Sequence, residues 1–309
     1  MRATRQPSVV VVAVDGTRRS AGAVRYAVHE ARLLGCAVRL VHVMPATLPE
    51  GGFWPASVQD VEDVRGSGER VLERAVSEAR SDAPDVRFES LLGRGPRAVE
   101  LAGAAAEGDL MVLGRETRKG RERLLAGATT AGAVARAVAP VVVVPADWRE
   151  SERGRIVVGI KSVARDGELL AHAYSTASAR HAALRLLHAV GAPEAMAGSG
   201  VVDAGAAVGS GRRALETAAR DWLDAYPDVD VETIAVEGRP ADVLIDASDD
   251  ADLLMLARPP RDLRRPVRLG RTPRAVLGVS DTPVKVVPLG REPTPAPLVL
   301  ERSGEILKS

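Results

Sequence analysis

Residues 10–27 read VVVAVDGTRRSAGAVRYA, and residues 156–173 read IVVGIKSVARDGELLAHA. Each segment begins with a run of β-branched and apolar residues, which is typical of a strand buried on both faces of a parallel sheet. A short polar turn follows, and then a segment whose apolar residues recur with helical spacing. The two segments start 146 residues apart, at residues 10 and 156, so the chain contains an internal repeat.

The repeat extends over most of the chain. VRLVHVM, from Val38, resembles LRLLHAV, from Leu184, at the same offset of 146 residues. DLMVLGR at residues 109–115 matches DLLMLAR at 252–258, and PVVVVP at 140–145 matches PVKVVP at 283–288; both offsets are 143 residues. The difference indicates that a few residues were lost between the second and fourth strands. The chain is therefore a duplication with halves of about 145 residues.

Strands and helices alternate in each half. In the first half the patterns predict strands at residues 8–14, 38–43, 86–91, 110–113 and 141–144, and helices at 20–34, 61–79, 96–106 and 128–138. In the second half they predict strands at 156–160, 183–188, 231–235, 253–256 and 284–287. This alternation predicts an α/β fold of two tandem Rossmann-like, doubly wound domains, each a five-stranded parallel sheet with helices on both faces.

The expected domain boundaries follow from composition. Residues 1–145 form the first domain, and the polar segment ADWRESERG at 146–154 forms the linker, because it has no apolar period. Residues 155–290 form the second domain. The tail, residues 291–309, carries three prolines at alternate positions and is expected to be loosely ordered.

Composition excludes several classes of protein. The 42 basic and 41 acidic side chains give a formal net charge of +1, so nothing global attracts the chain to nucleic acid or to an anionic membrane. Aromatic residues make up 3%, which predicts an aliphatic core and argues against a base-stacking surface. No segment approaches the roughly 18 apolar residues of a membrane span. The single cysteine, Cys36, is expected to be an inert packed thiol, and its isolation fits a cytoplasmic location.

Ligands of doubly wound sheets bind beyond the carboxyl ends of the strands. The places to inspect are Asp15, the end of the second strand at Val43, and the loop after Leu113, within LGRETRKGRERLLAGATT. Together with the VAVDGT, LVHV and PVVVVP segments, these places resemble the universal stress protein family, and the resemblance covers nearly all of both halves. The chain is similar to a tandem, two-domain member of that family.

The resemblance implies a nucleotide site in the first half. In nucleotide-binding members a Gly, two residues, Gly, nine residues, Gly-Ser/Thr loop wraps the phosphates, and the Asp ending the first strand lies near the adenosine. Backbone N–H groups at such a loop and at the following helix N-terminus point at the anion. In this chain the first glycine is Gly114, Thr117 replaces the second, Gly127 is in register, and Ala128 replaces the hydroxyl residue. The implied site residues are Asp15, Val43, Gly114, Thr117, Gly127, Ala128 and Thr129.

The same register in the second half carries different residues. Ala257 and Pro260 replace the first two glycines, Gly270 is retained, and Arg271 replaces the hydroxyl residue. Lys161 stands where Asp15 stands in the first half. Proline lacks an N–H and has a fixed φ, which removes a backbone donor. The second site is therefore expected to be lost, and ATP is expected in the first half alone.

Several residues have a structural interpretation as well. Asp15 is read either as a turn or helix-cap residue or as a ligand contact, and Gly127 either as a tight turn or as a point of ligand approach. His42 and His188 recur at matching positions and are expected to be structural. In the first loop, positive charge that partly compensates for Thr117 and Ala128 comes from Arg115, Arg118, Lys119, Arg121 and Arg123. The arginine-rich loop at residues 258–271 is either solvated or a site for an anion or acidic partner.

The sequence favours a stress-response module with a partly retained ATP site in its first domain. The alternative is a structural or partner-binding protein in which both sites have degenerated. An enzyme is not expected, because the loop AVDGTRRS does not match the Ser-Gly-Gly-x-Asp-Ser loop of related ATP-cleaving folds and no catalytic constellation stands out. In the family that the chain resembles, the last strand lies at a sheet edge and pairs between subunits, and an exposed apolar edge favours such pairing. The two Val-rich fifth strands are therefore expected to pair within the chain as a pseudo-dimer. Association into a homodimer is left open, and no specific nucleic acid or protein partner is identified.

Overall fold

The computed structural model describes residues 9–45, 58–106, 110–115, 127–151, 153–191, 204–259 and 269–290. In the first half the elements are β1 (Val9–Ala13), a 3-10 helix (Arg18–Ser20), α1 (Ala21–Leu34), β2 (Ala37–Met44), α2 (Val58–Asp82), β3 (Phe88–Arg94), α3 (Arg97–Ala106), β4 (Leu110–Arg115), α4 (Ala128–Arg136) and β5 (Val141–Pro145). In the second half they are β6 (Arg155–Gly159), α5 (Gly167–Arg180), β7 (Ala183–Val190), α6 (Ala204–Leu223), β8 (Val231–Glu237), α7 (Pro240–Ser248), β9 (Leu253–Arg258), α8 (Arg271–Val279) and β10 (Val284–Pro288).

All ten strands lie in one sheet, in the order β3-β2-β1-β4-β5-β10-β9-β6-β7-β8. Within each half the five strands are parallel, as predicted. The fifth strands β5 and β10 pair antiparallel, with Val142 opposite Lys285. The predicted pairing of the two fifth strands within the chain is therefore confirmed. The strand order is symmetric about this pair, and Val142 lies opposite its own equivalent, Lys285, so the two halves are related by a pseudo-two-fold axis between these residues.

Helices cover both faces of the sheet. Helices α1, α2, α5 and α6 pack on one face, around residues such as Val12, Leu40 and Leu186. Helices α3, α4, α7 and α8 pack on the other, around residues such as Met111 and Leu254. Both faces of the central strands are therefore buried, which is why their sequences are continuous aliphatic runs and not alternating patterns.

The linker is held by both halves. Arg25 donates to the backbone oxygens of Ala146 and Trp148, each at 3.0 Å. The Trp148 ring packs edge-on against Tyr26, with ring centroids 5.0 Å apart. At the other end of the linker the Asp252 carboxylate accepts from the Ser151 hydroxyl and from the N–H groups of residues 153 and 154. These contacts fix where the second half begins relative to the first.

Element bounds differ from the sequence prediction mainly at helix ends. Helix α2, Val58–Asp82, is three residues longer at each end than the predicted 61–79. Helix α4 ends at Arg136 and not at residue 138, because Ala137 takes an extended conformation with ψ of 142°. The proline-containing tail at 291–309 lies outside the described residues. Among the helices that the structure describes, none is both long enough and apolar enough to cross a bilayer.

Candidate functional site

Asp15 organises the turn between β1 and α1. Its Oδ1 accepts from the N–H of Thr17 at 2.9 Å, from the Thr17 hydroxyl at 2.7 Å and from the Ser20 hydroxyl at 3.5 Å. Thr17 in turn caps the 3-10 helix by accepting from the N–H of Arg19. Asp15 itself is exposed. The structure thus shows the turn-forming role, with the carboxylate at the carboxyl edge of the sheet.

Val43 lies near the end of β2, beside the same edge. Its side chain is buried in the core under α3, so only its backbone is available to a ligand. The Val43 carbonyl accepts from Nε of Arg97, the first residue of α3, at 3.5 Å. Arg97 was not among the site residues predicted from the sequence. The signal that would have found it is its position, because the first residue of a helix that follows a parallel strand lies at this edge.

Gly114 lies near the end of β4, against the turn that Asp15 organises. A Cβ on Gly114 would lie 2.3 Å from the carbonyl oxygen of Arg19 and 3.2 Å from Cα of Ser20. Both are backbone atoms, which cannot move aside as a flexible side chain does. Glycine at this position is therefore required by the close approach of the first turn, whatever the loop binds.

Gly127 differs from Gly114 in this respect. It precedes α4 with φ of −51° and ψ of 144°, a conformation that any residue adopts, and a Cβ there would meet nothing within 4 Å. Gly127 and Ala128 are exposed, and Thr129 is half-buried. Within the described part of the chain no side chain caps the start of α4, and the first turn of α4 holds no acidic residue. Among the residues that the structure describes, none bonds the N-terminal N–H groups of α4, which are the type of donor that binds an anion at a helix start.

Thr117 and the basic residues from Arg118 to Arg123 fall in residues 116–126, outside the described residues. Arg115 lies within the described residues, next to an acidic side chain of the second half. Its side chain is 9% exposed and lies 3.9 Å from the carboxylate of Asp281 in the second half. The positive charge expected from Arg115 is therefore shared with an acidic residue across the pseudo-two-fold axis.

The equivalent turn of the second half is organised by a carboxylate at a different position in the turn. Lys161 holds the position of Asp15, and Asp166 holds the position of Ser20. The buried Asp166 carboxylate accepts from the N–H groups of Lys161 and Ser162, at 2.7 and 2.8 Å. The protein's own carboxylate thus occupies the backbone donors at this strand end, and they are not available to an anionic ligand.

Other matching positions in the second half also differ. The buried Arg258, which matches Arg115, donates from Nη2 to the carbonyl oxygen of Ala137 in the first half at 2.5 Å. Arg258 is thus an interface residue, whereas residues 260–268 of the arginine-rich loop lie outside the described residues. Helix α8 starts after Gly270 with Arg271, Thr272 and then Pro273. Because Pro273 has no N–H, this helix start has one donor fewer than the start of α4.

The histidines have structural partners. Nδ1 of His42 bonds with the carbonyl oxygen of Val14 at 2.8 Å, and Nδ1 of His188 bonds with that of Ile160 at 2.9 Å. Each histidine ties the second strand of its half to the end of the first. Burial, aided by Lys285, lowers the pKa of His172 to about 3. Among the described residues no group of three or more His, Cys, Asp or Glu side chains could hold a metal ion.

Comparison with protein families agrees with the duplicated architecture. The model of the universal stress protein family matches the chain twice, at residues 8–145 and 152–288. The chain belongs to the universal stress protein family. The two matches correspond to the two halves of the sheet, so the protein is a tandem universal stress protein, as the sequence predicted.

Curated relatives align with this chain over nearly its whole length, through both halves. A universal stress protein of Mycobacterium tuberculosis (strain H37Rv) is 27% identical over 310 residues, covering 92% of this chain and 96% of the relative. A universal stress protein of Mycolicibacterium smegmatis is 24% identical over 293 residues, covering 90% of this chain and 96% of the relative. The crystal structure of a universal stress protein from Archaeoglobus fulgidus superposes with a TM-score of 0.70 at 16% identity, covering 93% of this chain and 100% of that chain. At that identity the superposition supports the fold alone.

Proposed function

We propose that this universal stress protein binds an adenine nucleotide, with ATP as the expected ligand, through its first half and not through its second. The observation that carries the proposal is Gly127, which neither sterics nor backbone dihedrals require to be glycine. The resemblance of the loop to that of nucleotide-binding members supplies a reason for it, which is the close approach of phosphate to the backbone.

The geometry of the first half supports this proposal in two ways. The exposed start of α4 offers the N–H groups of Ala128, Thr129 and Thr130, because the first helical bond is made by the N–H of Ala131 to Gly127 at 3.0 Å. Asp15 keeps one carboxylate oxygen, Oδ2, that makes no hydrogen bond within the described part of the chain, and it lies at the same edge. A ribose hydroxyl is a suitable donor for that oxygen.

The second half lacks these features. Asp166 satisfies the donors at the end of β6, Pro273 removes a donor from the start of α8, and Lys161 offers no acceptor to a ribose. The competing function, a module that binds no nucleotide and acts through a protein partner, is favoured by Ala128, which lacks a hydroxyl. That competing function predicts no binding in either half.

Calorimetric titration with ATP tests the proposal. Gly127→Asp is expected to weaken binding by at least about 100-fold, because the side chain fills the approach to α4 and places a negative charge there; two charge-assisted contacts at about 1.5 kcal/mol each account for a loss of this size. Folding should be unaffected, because a Cβ at Gly127 meets no atom within 4 Å.

Gly270→Asp is the matched control, since Gly270 precedes α8 as Gly127 precedes α4 and its Cβ would be in ordinary contact with Pro273 at 3.6 Å. It should leave the heat of binding unchanged. An equal loss from both variants would refute the asymmetry between the halves. Absence of heat with wild type at millimolar ATP would decide for the partner-binding alternative.

We further propose that the protein catalyses no reaction on the nucleotide. We also propose a cytoplasmic location, which its single cysteine fits. The hydroxyls nearest Asp15, those of Thr17 and Ser20, are held in the turn by its carboxylate. We propose that neither acts as a nucleophile, so any ATP hydrolysis is expected to be slower than about one turnover per second. Turnover at or above that rate, removed by a single substitution, would contradict this part of the proposal.

A further inference from the structure

A cluster of charged and polar side chains is buried where the two halves meet, on the sheet face covered by α1 and α5. Nη2 of Arg180, on α5, donates to the carboxylate of Glu30 and, at 2.8 Å, to the hydroxyl of Tyr26, both on α1. Nζ of Lys285, on β10, donates to the Thr176 hydroxyl at 3.1 Å. We refer to Tyr26, Glu30, His172, Thr176, Arg180 and Lys285 as the seam cluster.

The seam cluster is shielded from water. Glu30 is 5% exposed and Lys285 is 8% exposed, and the Arg180 side chain is 10% exposed. Burial lowers the pKa of Lys285 to about 8, although Glu30 opposes the change. Nε of Arg180 is buried without a hydrogen-bond partner in the described part of the chain. Burying charges in this way costs free energy that an apolar seam would not require.

At the positions equivalent to the two cations of the seam cluster, the other half of the chain carries apolar residues. Helices α1 and α5 align over their full length at an offset of 146 residues, and β5 and β10 align at 143. The pseudo-two-fold axis therefore relates Arg180 to Leu34, and Lys285 to Val142. It likewise relates Glu30 to Thr176, and Tyr26 to His172. The anion comes from the first half alone and both cations come from the second.

This distribution distinguishes the three ways in which two halves can be paired. A first half joined to a first half would bury two copies of Glu30, each facing Leu34 and no cation. A second half joined to a second half would bury two copies of Arg180 facing Thr176, with Lys285 directly opposite Lys285. A first half joined to a second half is the one arrangement that brings Glu30 to Arg180. Unpaired buried charges cost far more than paired ones.

We propose that the seam cluster selects the partner at the β5–β10 seam, so that a first half accepts a second half and rejects another first half. The apolar surface around the cluster supplies attraction in every pairing, and the buried charges penalise the like pairings. The second half is in this view a dedicated partner of the first, and the seam is closed to like halves of other chains.

Exchange of the cluster between the halves of the intact chain tests this proposal. One variant carries the first-half residues on both sides of the seam (His172→Tyr, Thr176→Glu, Arg180→Leu, Lys285→Val). A second carries the second-half residues on both sides (Tyr26→His, Glu30→Thr, Leu34→Arg, Val142→Lys). A third combines all eight substitutions, which moves the whole cluster through the pseudo-two-fold axis.

Thermal unfolding followed by circular dichroism gives the readout. The two like-sided variants are expected to unfold at least about 10 °C below wild type or to fail to fold, because each buries uncompensated charge. The exchanged variant is expected to recover at least half of that loss, although it contains more substitutions than either. A like-sided variant that unfolds with the wild-type midpoint would overturn the proposal. So would an exchanged variant no more stable than the like-sided ones.

Discussion

Replacing Gly114 by alanine is expected to lower the free energy of unfolding by about 3 kcal/mol, since the added Cβ forces backbone apart in a closely packed turn. The methyl group would lie 2.3 Å from the Arg19 carbonyl oxygen and 3.1 Å from its carbon. Either β4 or the turn organised by Asp15 must move. The carboxylate of Asp15 and the start of the loop that follows Gly114 would then separate, so nucleotide binding should weaken together with stability.

Gly127→Ala is the matched control for this prediction. The same methyl group enters open space at Gly127, and alanine adopts its dihedral angles, so the change in unfolding free energy should stay below about 1 kcal/mol. Urea denaturation of both variants gives the comparison. Equal stability of the two variants would show that the first turn can withdraw from β4 at little cost, and the packing explanation of Gly114 would fail.

Replacing Glu30 by glutamine is expected to cost about 3 kcal/mol at neutral pH, because Arg180 is left buried without its carboxylate. The exposed pair between Glu78 and Arg74, one turn apart on α2, provides the control. Glu78→Gln removes the same charge from a solvated pair, so it should leave the urea midpoint unchanged. A loss at Glu30 no larger than that at Glu78 would show that the buried pair does not stabilise the seam.

The effect of Glu30→Gln should depend on pH in a defined direction. Burial alone would raise the pKa of Glu30, but the charges of Arg180 and Lys285, together with the hydrogen bond from Tyr26 and the charge of His29, hold that pKa below its usual value of 4.5. As the pH falls below 4.5 the unfolded chain therefore takes up a proton before the folded one does. The contribution of Glu30 is complete above that pH and is lost as the pH falls through the lowered pKa. The difference in stability between wild type and the variant should therefore shrink below pH 4.5; a difference that grows there would contradict the assignment.

Much of the architecture could be predicted because it depends on patterns that repeat. The β-branched runs at residues 10–14 and 156–160 have to be buried strands, and their spacing reveals the duplication. The pairing of β5 with β10 was expected from the family resemblance and from their apolar edges, but its antiparallel direction was not predicted. Helix ends were predicted less well, as at Ala137, because the last turn depends on packing against neighbouring elements and not on local propensity.

The candidate site could be predicted only as a set of positions. The register of Asp15, Gly114 and Gly127 is visible in the sequence, but the reason for each residue is not. Gly114 and Gly127 look equivalent in a motif, yet one is required by the backbone of Arg19 and the other is unconstrained. In the sequence, Lys161 in place of Asp15 looks like the loss of the carboxylate of this turn. In the structure that carboxylate is supplied by Asp166, which accepts from the N–H groups of Lys161 and Ser162.

The sequence by itself determined the duplication, the order of strands and helices in each half and the family, since these depend on periodicity and on residues close together in the chain. The tertiary structure alone decided which charges are buried together. Glu30 and Arg180 are separated by 150 residues and carry no local signal, and they meet because the pseudo-two-fold axis brings α1 to α5. Arg115 and Arg258 likewise reach across the same axis, to Asp281 and to the Ala137 carbonyl. The energy of a charge depends on its distance to other charges and to water, and those distances exist only once the chain has folded.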